Sequence, residues 1–184
     1  MCFGLGRAQG STGQHHDAWG PLTRAFDYFE DAGDVAMAVA VAEYPLLFVA
    51  DLEGTTGMVE RAPMLVEPDS HEAGRLLSGN GLLVNLETGD HDRAKEFFDR
   101  ALVIAEREND RVLEIRTLSA FADADWYQLR EKDTLAKCLR VIELARLAND
   151  SHAEAWPHFL AAFALLVTGD PSGAMSHADE MLRL

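Results

Sequence analysis

From Gly89 to Ala105 the chain spells a helix stop, a helix start and one amphipathic helix in direct succession. Gly89 can take the left-handed backbone that closes a helix. Asp90 or Asp92 can accept from the first free N–H groups of the next helix and suits its positive end. Ala94, Phe98, Ala101 and Ala105 follow at steps of four, three and four, so they share one face. Small and large residues alternate on it, as they must where two helices nest closely. Phe98 is expected at the centre of that contact.

The unit recurs. Gly169-Asp170 repeats Gly89-Asp90, and Ala174, Ala178 and Met181 stand the same distance after Ala94, Phe98 and Ala101. Halfway between, Ala145-Arg146-Leu147-Ala148-Asn149-Asp150 echoes Ala105-Glu106-Arg107-Glu108-Asn109-Asp110. Near the start, Leu5, Gly6, Ala8, Gly13, Ala18, Leu22 and Ala25 fall on the same pattern. A period of about 40 residues marks a helical solenoid, in which each pair leaves a face for its neighbour to cover.

The Gly-Asp motif with its small and aromatic residues resembles the second half of a tetratricopeptide repeat. Three further segments, Glu67–Leu77, Leu113–Leu118 and Val141–Arg146, resemble the repeat region of large ATP-binding LuxR-type transcriptional regulators. Those proteins join an NTPase module, a tetratricopeptide-like region and sometimes a C-terminal helix-turn-helix. The resemblance implies an all-α fold, a right-handed superhelix of helix pairs, and a scaffold or effector-sensing role in signalling. Neither the catalytic nor the DNA-binding motifs of that family occur here.

Read in order, the chain gives a single domain of five pairs, roughly 1–33, 34–66, 70–108, 110–148 and 151–184. Second helices start near 17, 55, 91, 132 and 171. In the first pair Asp17 is expected to cap the second helix, with Pro21 harmless in its first turn. In the second, Asp34 caps a helix to about Ala42. Pro45 then divides it from a segment 46–52, a turn follows at 54–57, and Met58–Leu65 forms a short helix. Asp69 or Ser70 caps the helix Ser70–Thr88, which precedes Asp92–Arg107. The fourth pair is Arg111–Arg130 and Asp133–Leu147, with Leu135, Cys138, Leu139, Ile142 and Ala145 inward. The fifth is Ser151–Thr168 and Ser172–Leu184, with a kink or a late start at Pro157. The short first helix and the ending inside a helix suggest a segment of a longer regulator.

Composition narrows the function. With 48% apolar residues the chain can fill a core, and its formal charge of −15 opposes phosphate backbones and anionic membranes. Nucleic-acid and membrane contacts are therefore not expected. Cys2 and Cys138 stand far apart, which excludes a disulfide framework or a zinc motif, and Cys138 reads as buried. No leader or spanning segment is read, so the cytoplasm is the default location.

Chemistry is sparse. Gly54-Thr55-Thr56-Gly57 lacks the lysine of a P-loop. His15, His16, His71, His91, His152, His158 and His177 form no pair at a spacing of four, so no metal is expected. No Gly-x-Ser-x-Gly occurs. The expectation is a non-catalytic protein with no cofactor, which binds a protein, a peptide or a small effector. Self-association into a homo-oligomer is the alternative, and an all-helical enzyme comes third.

One surface stands out. Asp123, Tyr127 and Arg130 follow at four and three on the first helix of the fourth pair. Trp156, Phe159 and Phe163 occupy the matching face one repeat later. In tetratricopeptide proteins such first helices line the peptide groove. Arg130 would offer a donor fork to a carboxylate, Asp123 would meet a cation or stay in water, and the rings would supply rigid apolar area. The alternative is that Trp126 and the phenylalanines are core between repeats.

Overall fold

The computed structural model describes residues 1–44 and 56–184. The break expected at Pro45, the segment expected at 46–52 and residues 54 and 55 of the expected turn lie outside the described residues, while Thr56 and Gly57, expected in that turn, begin a helix. Every regular element among the described residues is helical. The order is α1 (Cys2–Ser11), α2 (His15–Asp31), α3 (Val35–Ala42), α4 (Thr56–Arg61), a 3₁₀ turn (Ala62–Leu65), α5 (His71–Thr88), α6 (His91–Glu108), α7 (Arg111–Tyr127), α8 (Glu131–Ala148), α9 (Ser151–Thr168) and α10 (Pro171–Met181). The chain divides into two compact units, Met1–Gly79 and Asn80–Leu184.

The first unit closes on Ala18, Leu22, Ala25 and Phe26 of α2, Ala38, Val39 and Val41 of α3, and Met58, Ala62 and Leu76. The Arg61 guanidinium lies over the Phe26 ring at 4.9 Å and bonds Asp27 and Glu30. Asp34 caps α3 as expected, accepting from the Met37 N–H at 3.2 Å. Asp17 does not cap α2. The helix starts earlier, at His15, which leaves Asp17 in the first turn and Pro21 inside the helix.

In the second unit α6 to α9 are 17 or 18 residues long and α10 is shorter, with 11. Asp90, Asp110, Asp150 and Asp170 cap α6, α7, α9 and α10, each accepting from the N–H three residues on. Each bond satisfies a donor that the helix start leaves without a partner. Asp90, not Asp92, caps α6, and Ser70 caps α5 through the Ala73 N–H. The stops are equally regular. Asp69 in the first unit, then Gly89, Asn109, Leu129, Asn149 and Gly169, all have positive φ and are evenly spaced along the chain. Two such steps make one period of the sequence, now written in the backbone.

Consecutive helices from α6 to α10 pack on one another, and α7 also touches α9. This packing is compatible with a helical repeat. Phe98 is fully buried and stacks on Phe121 of α7, ring centroids 4.7 Å apart. Gly81 of α5 is what admits it, since a Cβ there would stand 2.8 Å from the Phe98 ring. Behind this contact, Val141, Leu144 and Ala145 of α8 meet Ile115, while Cys138 meets Ala122, Leu160 and Ala161.

Three expectations for this unit are corrected. Leu139 faces outward, 47% exposed, and Thr134 takes an inward position. Helix α9 starts at Ser151 and runs continuously through Pro157, so no late start occurs. Helix α7 ends at Tyr127 rather than Arg130. Leu129 supplies the left-handed residue of that stop, and Arg130 becomes the N-cap residue of α8.

Candidate functional site

Two neighbouring helices, α7 and α9, build an aromatic surface. Helix α9 is apolar over most of its circumference. Its buried positions, Pro157, Leu160, Ala161 and Ala164, are spent on its neighbours. Phe159, Phe163, Leu166 and Val167 remain, 38%, 44%, 58% and 56% exposed. Their spacing of four, three and one puts them on one stripe. From α7 come Trp126 and Tyr127, the latter half exposed.

The rings form one connected set. Trp126 meets Phe163 edge-on at 5.9 Å and Tyr127 at 5.1 Å. Phe159 lies 6.5 Å from Phe163 and stacks on Trp156 at 5.0 Å. Edge-to-face and offset contacts at these separations hold the rings rigidly, so the face is preorganised.

At the edge of the Trp156 ring lies a buried carboxylate. Trp156 Nε1 donates to Asp123 Oδ1 at 2.7 Å, and Asp123 is only 8% exposed. Burial pushes the Asp123 carboxyl up to about 6, and the Trp156 bond partly offsets this. Asp123 therefore titrates closer to neutral pH than an exposed carboxylate does. Of the two settings expected for it, a cation or water, the second is corrected: it is covered, with Trp156 of α9 as its partner.

Of the six sequence-derived residues, the structure brings five together: Asp123, Tyr127, Trp156, Phe159 and Phe163. Arg130 is exposed but does not share the α7 face, because the helix has ended before it. Trp126 joins the set, and the core alternative holds only for its partly covered ring and that of Trp156.

A deeper polar cluster adjoins this surface. Asp125, 1% exposed, receives Lys137 Nζ at 2.5 Å on one oxygen and lies 3.2 Å from His91 Nε2 through the other. Lys137 also sits 4.0 Å from the Phe121 ring centre. Cys138 is buried next to this cluster. Burial, with Asp123 and Asp125 adding to it, pushes its thiol up to about 12. Such a thiol is inert as a nucleophile.

Sequence reasoning missed a second feature. A cleft of about 620 Å³ opens between α8, α9 and α10, lined by Leu139, Ile142, Arg146, Leu147, His158 and His177 among others. His158 Nδ1 and His177 Nδ1 stand 2.9 Å apart. Arg146 Nη2, which can only donate, is 3.5 Å from His158 Nε2. One of the two Nδ1 atoms must carry the proton for the His158–His177 contact to be a hydrogen bond. Arg146 also donates to Glu154 at 3.0 Å. Both imidazoles titrate below the usual histidine range, through burial first and then, for His158, through His177 and Arg146, and for His177 through Arg146. The two histidines lie on successive helices, several turns apart in sequence, so no local spacing announces the pair. Among the described residues no group of three or more potential ligands could hold a metal ion.

Comparison with known proteins finds no matching family model and no curated protein of significant similarity. No helix among the described residues is long and apolar enough to cross a membrane.

Proposed function

We propose that this chain is a non-catalytic interaction scaffold, a tetratricopeptide-like superhelix that serves as the sensing or docking region of a LuxR-type regulator. The observation that carries the reading is the aromatic face of α7 and α9. Tyr127, Phe159 and Phe163 are large, rigid and each more than a third exposed; the two phenylalanines adjoin, and Trp126 links Tyr127 to Phe163. Scattered exposed apolar residues are ordinary, whereas contiguous aromatic ones are what binding surfaces use. The even recurrence of helix stops supports the repeat half of the reading. The cleft beside His158 and His177 supports a second, lesser role as the place for a small effector.

Selection from a displayed random-peptide library tests the reading. Peptides should be enriched by the wild-type protein and lost with Phe159→Ser/Phe163→Ser, both exposed positions. Enrichment that survives the double substitution would move the docking surface elsewhere and refute the assignment.

A further inference from the structure

The aromatic face is not merely apolar. A buried carboxylate, Asp123, stands at the edge of the Trp156 ring and accepts a hydrogen bond from Trp156 Nε1 on Oδ1 at 2.7 Å. Trp156 in turn belongs to a chain of five rings, with Phe159, Phe163, Trp126 and Tyr127, linked by contacts between 5.0 and 6.5 Å. Aromatic faces carry partial negative charge and attract cations, most strongly at tryptophan. The ionised form of Asp123, beside Trp156, adds to the same field, since partial desolvation weakens its screening. An ammonium or guanidinium that enters among the rings meets both terms at once. An anion meets both as repulsion.

The whole chain points the same way. Its formal charge is −15, which draws basic segments toward it and opposes a second copy of itself. The apolar stripe of Phe159, Phe163, Leu166 and Val167 beside the rings needs apolar side chains from the occupant as well.

We infer that the α7–α9 face binds a basic amphipathic peptide segment of another protein, one of whose Lys or Arg side chains packs against the rings beside the Trp156–Asp123 pair. This rests on the docking reading above and specifies the partner's chemistry. Helix-in-groove recognition of this kind uses apolar anchors for affinity and the charge for register.

Two synthetic helical peptides with identical leucine faces test it, one carrying arginine and the other glutamate on the polar face. Binding to the full chain is read by the fluorescence of Trp126 and Trp156. The arginine peptide should bind and shift the emission, and the glutamate peptide should not. Because an acidic protein attracts any basic peptide, the decisive comparison is between two neutralisations. Asp123→Asn keeps an acceptor for Trp156 Nε1, and Asp92→Asn removes the same charge at an exposed site on α6. Asp123→Asn should weaken the arginine peptide about tenfold, while Asp92→Asn should leave it within about twofold. Equal effects of the two would overturn the inference, as would equal binding of both peptides. Library-selected peptides that depend on Phe159 and Phe163 but are neutral or acidic would also overturn it, and would leave the docking reading standing. Sedimentation showing that a second copy occupies the face would refute it too.

Discussion

Leu129 adopts φ +56° with 77% of its surface exposed. A left-handed backbone costs an ordinary L-residue roughly 1–2 kcal/mol, which glycine avoids. Gly89 and Gly169, one period away on either side, occupy the equivalent stop without that strain. Leu129→Gly should therefore stabilise the protein by about 0.5–1 kcal/mol after the extra chain entropy of glycine is subtracted. A urea midpoint that falls would show that the Leu129 side chain contributes more than its exposure implies. Phe98 gives the opposite case. It is fully buried, stacked on Phe121 and fitted to Gly81. Phe98→Ala should cost about 3–5 kcal/mol, read as a lower urea midpoint. An unchanged midpoint would mean that the contact between α5, α6 and α7 does not hold the unit together.

At the level of helices, two buried titrations oppose each other. His158 and His177 join α9 to α10, faced by Glu143 and Arg146 from α8, Glu154 from α9 and Glu180 from α10. Their folded pKa lies below the unfolded value of 6.5, so the unfolded chain binds more protons in that window. Stability they contribute is present above 6.5 and is lost as pH falls through their folded values. Asp123 has the reverse sign. Its carboxyl is raised to about 6 from 3.8, so the native state binds more protons between these values and gains stability as pH falls. Replacing both histidines by asparagine should flatten the decline in urea midpoint that begins near pH 6.5, and Asp123→Asn should steepen the decline below about pH 6. A wild-type midpoint that rises from neutral pH down to the Asp123 window would contradict the histidine assignment.

The same helices show what was legible in the sequence. Asp34 and Asp90 are legible as caps because a cap acts locally, on an N–H three residues away, whereas Asp110, Asp150 and Asp170 act in the same way without having been expected as caps. The face of Ala94, Phe98, Ala101 and Ala105 is legible for the same reason. The end of α7 was not, because Leu129 fills a glycine's place and carries no stop signal. That single residue removed Arg130 from the expected face. Asp123 and the His158–His177 pair were misread or missed because their environments come from the next helix, which spacing along one helix does not report.

Across the second unit, evenly spaced stops, with side-chain caps at the starts of α6, α7, α9 and α10, divide the chain into helices that pack in succession. Such an array leaves the outer stripe of each helix without a neighbour. On α6 and α8 that stripe is mainly charged. On α9 it is Phe159, Phe163, Leu166 and Val167, and on α7 it ends in Tyr127. The proposed partner therefore sits on this face. Hydroxyl-radical footprinting with a library-selected peptide measures that directly, because oxidation reports side-chain exposure ring by ring. Tyr127, Phe159 and Phe163 should lose reactivity on binding while exposed Val103, Leu147 and Met175 keep theirs. Protection confined to Leu139 and Leu147 along the histidine cleft, or absent from all three rings, would contradict it.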